Sequence, residues 1–449
     1  MRAVIHPRLF GGTIRAPASK SHTVRRLLLA SLTNGVSEIH HPLDSLDTQS
    51  CVSVCRALGA EITEQRDEGK LIKWIVNGRG PVSQPNRCNV GNSGTTLYLA
   101  LAAAALGSET VEFDGDDQIR RRSAAPLLQA LTGLGIKVSS AANGCAPISV
   151  KGPWKGGRVS LNCPTSQYLS AILLAAPLAP PGVVTEIDIP LLNEKPYVEI
   201  TLSYLKAQNI DFEAAADFSY FRIPGGAAYK PIKGPVPGDF SSAAFPASAA
   251  AITGGSLTLL GLDPHDSQGD KDFFSMLQNM GCIITWDRIT QNEGDIVQSS
   301  CAAQPNDWAL KVSREGPLKA GVFDLNAVPD LLPVMAVMAS YAEGETTLLN
   351  VAHARIKETD RIAVMAKELG KLGIICKERP DGLVINGMAQ TGPRAAPSGV
   401  IELDGHGDHR IVMALAACAL GLKEGTAIEI SGAESADITY PGFLKLLQK

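Results

Sequence analysis

One pattern dominates this chain: a short polar turn that runs straight into an Ala/Leu-rich helix, six times over. The openings are Ser19-Lys20-Ser21, Gly91-Asn92-Ser93-Gly94-Thr95, Pro164-Thr165-Ser166-Gln167, Gly238-Asp239-Phe240-Ser241-Ser242, Val328-Pro329-Asp330 and Gly407-Asp408-His409-Arg410. A spacing of about 70 to 90 residues is too long for a solenoid and suits a supersecondary unit. Ser, Thr and Asp belong at helix starts because their oxygens satisfy free backbone N–H groups there. The same helix ends carry partial positive charge and attract anions. Six of them facing one space would suit an anionic small molecule.

After each Ala-rich helix comes a strand-like run, then a second helix and a short strand. The second helices are expected near Ser50–Gly59, Leu127–Leu131, Tyr197–Ala207, Phe273–Met280, Ile362–Leu372 and Phe443–Leu447, where apolar residues fall at i, i+3, i+4 and i+7. Strands are expected at Ala60-Glu61-Ile62, Ile136-Lys137-Val138 and Cys282-Ile283-Ile284-Thr285. The last unit ends at its helix, so some other segment must supply its strand, and Ala3–Ile14 is the unassigned candidate. The N-terminus is therefore expected to pack into the C-terminal domain, with crossings near Ser19 and Gly238. That gives one domain of residues 20–238 and a second of 1–19 plus 239–449. The polar stretch Gln291–Asn306 is expected to be a surface insertion.

Composition narrows the function. A chain of 449 residues with 45% hydrophobic and 19% charged content reads as a globular protein of about two to three domains. A net charge of -4 gives no electrostatic case for nucleic acid or an anionic membrane as partner. The cations nevertheless gather at the turns: Lys20, Arg25 and Arg26; Arg120, Arg121 and Arg122; Arg355, Lys357 and Arg361; His409 and Arg410. The nine cysteines are odd in number and without a C-x-x-C pair, which implies free thiols and no structural zinc. The apolar runs Leu97–Leu106 and Tyr168–Leu178 are too short to span a bilayer. A cytoplasmic location follows as the simplest expectation.

The turns hold residues capable of chemistry. Gly94 permits close backbone approach to a ligand, and Thr165-Ser166-Gln167 offers two hydroxyls and an amide. Lys357 and Arg361, four apart, would share a helix face with Glu358 nearby, either as an ion-pair lattice or as a working site. Asp330 reads as an N-cap or a general base. Asp408-His409-Arg410 sets an acid, an imidazole and a guanidinium on consecutive residues; His409 reads as a capping histidine or a catalytic one, and Arg410 suits carboxylate or phosphate recognition.

At these residues the chain resembles the 5-enolpyruvylshikimate-3-phosphate synthase family. The resemblance rests on Lys20-Ser21 with Arg25, Leu43-Asp44-Ser45-Leu46-Asp47-Thr48, Gly91-Asn92-Ser93-Gly94-Thr95, Ser166-Gln167, Lys195-Pro196-Tyr197, Pro329-Asp330, Lys357-Glu358-Thr359-Asp360-Arg361 and Asp408-His409-Arg410. It implies a two-domain inside-out α/β barrel of six βαβαββ units, three per domain, with the active site in the interdomain cleft. It also implies transfer of the carboxyvinyl group of phosphoenolpyruvate to the 5-hydroxyl of shikimate-3-phosphate with release of phosphate, by a monomer, with no cofactor and no metal. By resemblance Lys20, Asp330, Glu358 and His409 are catalytic, Glu358 exchanging the methylene proton and Asp330 acting on the hydroxyl. Lys20, Gly94, Arg122, Gln167, Arg361 and Arg410 are implied to hold phosphoenolpyruvate. Ser21, Arg25, Thr165, Ser166, Gln167, Tyr197, Asp330 and Lys357 are implied to hold shikimate-3-phosphate.

Four positions depart from the family's pattern. Tyr98 and Ile438 stand where relatives carry cations on the phosphoenolpyruvate side. His353 replaces an asparagine, and Glu194 replaces a hydroxyl, where a carboxylate pointing inward would repel phosphate. Two other functions compete: an enolpyruvyl transferase acting on another acceptor such as a nucleotide sugar, and a non-catalytic anion-binding paralogue. The first is disfavoured because the loop Asp114–Ala125 has no cysteine.

Overall fold

The computed structural model describes residues 1–80, 86–289, 308–387 and 399–448. The proposed insertion at Gln291–Asn306 lies outside them. The chain divides into two compact units, Ala18–Val236 and Met1–Pro17 with Pro237–Lys449.

The first unit contains three four-stranded sheets with one pairing scheme. In the clearest, Gly157–Cys163 runs parallel to Val184–Leu192, which pairs antiparallel with Tyr220–Pro224, and Glu213–Ala214 closes the edge. The helices Gln167–Ala175 and Lys195–Ala207 fall between these strands in the chain. Asn86–Asn89, Val111–Asp114, Ile148–Lys151 and Lys137–Ser140 repeat the scheme, as do Lys233–Pro235, Asn34–His40, Lys70–Arg79 and Glu61–Asp67.

The second unit repeats it again. Gly12–Arg15, Leu257–Leu260, Trp308–Arg314 and Cys282–Arg288 form one sheet; Val322–Asp324, Glu345–Leu349, Gly382–Asn386 and Ile375–Arg379 form another. In a third sheet Gly399–Asp404 runs parallel to Thr426–Ser431, and the antiparallel partner is Arg2–Ile5 from the far end of the chain. The segment read as one strand, Ala3–Ile14, is thus two strands in two sheets. Pro7 cannot donate to a ladder, and Gly12 takes φ +104°, which redirects the chain into its second strand.

Two kinds of helix explain the core. The Ala-rich helices are buried nearly all round: every residue of Leu332–Ser340 and His409–Leu420 is buried, and every residue but the last of Phe240–Thr253. A helix apolar on all sides must be interior, and these three pack on one another. In the first unit Lys20–Ser31 packs on Gly94–Ala104, which packs on Gln167–Ala175. The second helices are one-faced; Arg361–Lys371 buries Arg361, Ile362, Met365, Glu368 and Leu369. The polar openings of these helices, Ser19, Ser93, Ser166 and Asp408 among them, are buried as well.

Candidate active site

The side chains implied by the sequence fall into two groups, one in each unit. In the first unit Arg25 is 1% exposed on helix Lys20–Ser31. Its Nε donates to Thr201 Oγ1 (2.8 Å), Nη1 to the Ser21 carbonyl (3.1 Å), and Nη2 to the Tyr197 carbonyl (3.1 Å) and Ser170 Oγ (3.3 Å). All four acceptors are neutral, and burial pushes the guanidinium down to about 10. A buried cation held only by neutral dipoles projects positive potential, the condition an anionic ligand relieves.

Lys20 Nζ lies 3.2 Å from Asp47 Oδ2, a pair mostly shielded from solvent. Asp47 sits in the first turn of helix Leu46–Ala57, which a Ser45–Thr48 capping box starts. Gly94 opens helix Gly94–Ala104, and the Ser93 side chain accepts from Thr96 N. A Cβ at position 94 would stand 2.7 Å from Arg122 Nη1 and 3.7 Å from the Tyr98 ring, so only glycine lets the guanidinium lie against this turn. Tyr98, where a cation was expected, is 6% exposed and packs edge-to-face on Tyr168 at 5.0 Å. Of the three consecutive arginines only Arg122 approaches Gly94; Arg120 forms a bidentate surface pair with Asp114.

Thr165, Ser166 and Gln167 open helix Gln167–Ala175; the Ser166 hydroxyl does not cap it, and Thr165 Oγ1 accepts from Gln167 N at 3.5 Å. Both donate to Glu194, Thr165 Oγ1 at 3.0 Å and Ser166 Oγ at 2.9 Å. The Gln167 Oε1 is buried without a hydrogen-bond partner among the described residues. Tyr197, in helix Lys195–Ala207, is half-buried.

In the second unit Arg361 is the centre. It is 1% exposed and engages three carboxylates. Nε reaches Asp408 Oδ2 (2.8 Å), Nη1 reaches Asp330 Oδ1 (2.8 Å), and Nη2 reaches Glu358 Oε2 (2.6 Å) and Asp408 Oδ1 (3.3 Å). Arg410 reaches Asp330 Oδ2 (2.8 Å) and Ser241 Oγ (2.7 Å). Burial pushes the Asp330 carboxyl up, but Arg410, Lys357 and Arg361 together hold it well below the usual carboxylate range. Burial lowers the Arg361 guanidinium, and Asp408, Glu358 and Asp330 more than reverse this.

Local capping sets this geometry. Asp408 caps helix His409–Leu420 through Arg410 N (2.9 Å), which fixes it under Arg361. His409 is 2% exposed at that helix start, its Nδ1 4.0 Å from Asp408 Oδ1. Asp360 caps Arg361–Lys371 through Ala363 N (3.0 Å). Lys357 and Glu358 therefore precede the helix, and the helix face expected for Lys357, Glu358 and Arg361 does not exist. Asp330 lies in the 3-10 turn Pro329–Leu331 with its carboxylate on Arg361 and Arg410.

Several partners escaped the sequence reading. Asp408 is readable as a cap and an acid of its motif but not as a partner of Arg361, and Asp47 lies inside a quoted motif without a role. Ser241, Ser170 and Thr201 gave no signal beyond their hydroxyls. Among the described residues no group of three or more His, Cys, Asp or Glu is arranged to hold a metal ion, and no helix is long and apolar enough to cross a membrane.

Comparison with known proteins gives one answer. A family model described as EPSP synthase (3-phosphoshikimate 1-carboxyvinyltransferase) matches residues 6–447. A 3-phosphoshikimate 1-carboxyvinyltransferase of Acetivibrio thermocellus is 45% identical, covering 98% of this chain and 95% of its own length. One from Ruminiclostridium cellulolyticum is 43% identical, covering 97% and 94%. A solved EPSP synthase structure from Acinetobacter baumannii has the two-domain α/β fold; it superposes with a TM-score of 0.77 at 25% identity, over 100% of this chain and 97% of that one. The chain belongs to the EPSP synthase (3-phosphoshikimate 1-carboxyvinyltransferase) family.

Proposed function

We propose the following roles in the family's reaction, the transfer of the carboxyvinyl group of phosphoenolpyruvate to shikimate-3-phosphate, which this chain catalyses in the shikimate pathway. Lys20, Gly94, Arg122, Gln167, Arg361 and Arg410 bind phosphoenolpyruvate. Ser21, Arg25, Thr165, Ser166, Gln167, Tyr197, Asp330 and Lys357 bind shikimate-3-phosphate. The six repeated sheet-and-helix segments form the family's inside-out barrel of βαβαββ units. The reading is supported above all by Asp330, Glu358 and Asp408, from three separate segments, meeting on the one guanidinium of Arg361.

Without substrate, Asp330 is ionised and holds a proton poorly, because three cations stabilise its charge. The phosphate and carboxylate of phosphoenolpyruvate compete for Arg361 and Arg410. As those cations turn to the ligand, their hold on Asp330 and Glu358 loosens and both carboxylates become better proton acceptors. Asp330 then takes the proton of the 5-hydroxyl as its oxygen bonds to C2 of phosphoenolpyruvate. Glu358, which takes up a proton from solvent as Arg361 turns away, gives it to the C3 methylene in the same addition, forming the tetrahedral intermediate. Glu358 next removes a proton from the new C3 methyl group as the C2–O bond to phosphate breaks; the bond pair leaves on the phosphate oxygen, which takes up the proton held by Asp330. Lys20 and Arg122 stabilise charge on the departing phosphate, and His409 supports the Asp408 turn beneath Arg361.

Phosphate release tests the function directly. It should require both phosphoenolpyruvate and shikimate-3-phosphate and should not respond to a uridine sugar in place of the latter. Release with the uridine sugar, or none with either acceptor, would overturn the reading.

A further inference from the structure

Glu194 is a buried acid among hydroxyls. It is 2% exposed and precedes helix Lys195–Ala207 with φ 58° and ψ 41°, a left-handed conformation that side-chain-bearing residues seldom adopt. One of its oxygens, Oε2, accepts from Thr165 Oγ1 (3.0 Å), Ser166 N (3.0 Å) and Ser166 Oγ (2.9 Å). Three donors converging on one carboxylate oxygen make a cradle shaped for an anion, and its occupant here is part of the protein.

We infer that Glu194 is a specificity-determining residue for the phosphorylated substrate. Its carboxylate is the resident anion of the Thr165–Ser166 cradle, and the phosphate of shikimate-3-phosphate competes with it for the same donors. The inference rests on the proposed assignment of Thr165 and Ser166 to shikimate-3-phosphate. Binding exchanges hydrogen bonds and makes or breaks no covalent bond. A phosphate dianion brought beside a buried carboxylate raises the energy of the complex through like-charge repulsion. Glu194 therefore weakens binding of shikimate-3-phosphate while keeping the cradle assembled without ligand. Phosphoenolpyruvate, held by other residues, is insensitive to it.

The test compares wild type with Glu194→Gln and Glu194→Ser. The Gln amide oxygen can accept from the same three donors without the charge, and Ser frees the donors entirely. Calorimetric titration of shikimate-3-phosphate should give Kd values about tenfold lower in both variants. KM for shikimate-3-phosphate should fall in parallel. KM for phosphoenolpyruvate and the Kd of shikimate, which lacks the phosphate, should stay within about twofold of wild type. An unchanged or weaker Kd for shikimate-3-phosphate in both folded variants overturns the inference and leaves Glu194 an anchor of its turn. Wild-type turnover with unresponsive variants defeats this inference alone. Absence of shikimate-3-phosphate binding by wild type defeats the underlying assignment as well.

Discussion

Replacing Arg361 by methionine removes a charge and a hydrogen-bonding fork while keeping most of the bulk. The wild-type guanidinium is 1% exposed and makes four hydrogen bonds to Asp330, Glu358 and Asp408, whose side chains are 19%, 14% and 0% exposed. Removing one partner of a buried ion pair costs about 3–5 kcal/mol, because the remaining charge keeps its desolvation penalty and loses its compensation. In a unit of this size that corresponds to a fall of about 10 °C in Tm. The pH dependence has a definite sign. Asp330 titrates below its unfolded value because Arg410, Lys357 and Arg361 outweigh its burial. Its contribution to stability is therefore present above pH about 4 and is lost as pH falls toward the folded value. With Arg361 gone the depression shrinks, so wild type and variant should differ most at neutral pH and converge on acidification. Scanning calorimetry from pH 7 down to about pH 2 reads both quantities. A loss below about 1 kcal/mol, or a gap that widens in acid, would refute the view that Arg361 holds this cluster together.

Other perturbations separate binding from chemistry. Gly94→Ala sets a methyl group 2.7 Å from Arg122 Nη1 and should raise KM for phosphoenolpyruvate about tenfold with little change in Tm; an unmoved KM would exclude Arg122 from the binding set. Glu358→Gln should lower kcat by a factor of about a hundred or more while both substrates still bind in calorimetric titration. Near-normal turnover in that variant would reduce Glu358 to an ion-pair partner of Arg361.

What the sequence made legible follows from the range of the interactions involved. The α/β class was readable from local periodicity, since the Ala-rich segments and the one-faced helices differ within a few turns of chain. Capping was partly readable: Ser93, Asp239 and Asp408 accept from the first turns of their helices. Ser19 and Ser166 do not, and Ser166 turns to Glu194, a partner 28 positions away. The face expected for Lys357 and Arg361 failed because Asp360, between them, ends the preceding turn and starts the helix. Asp330 resembled a cap from its neighbours Pro329 and Leu331, yet its partners are Arg361 and Arg410, 31 and 80 positions distant. Local signals locate the acids and cations; tertiary packing decides which acid meets which cation.

The central claim is that a carboxylate released from Arg361 exchanges a proton with the methylene carbon of phosphoenolpyruvate. Turnover in deuterium oxide tests it, because adding a deuteron to C3 makes a methyl group that then loses either isotope. Mass spectrometry of the product formed by wild type should show deuterium in the enolpyruvyl methylene group, and Glu358→Gln should yield at least about a hundredfold less product, labelled or not, in the same time. Wild-type product carrying no deuterium would contradict the account.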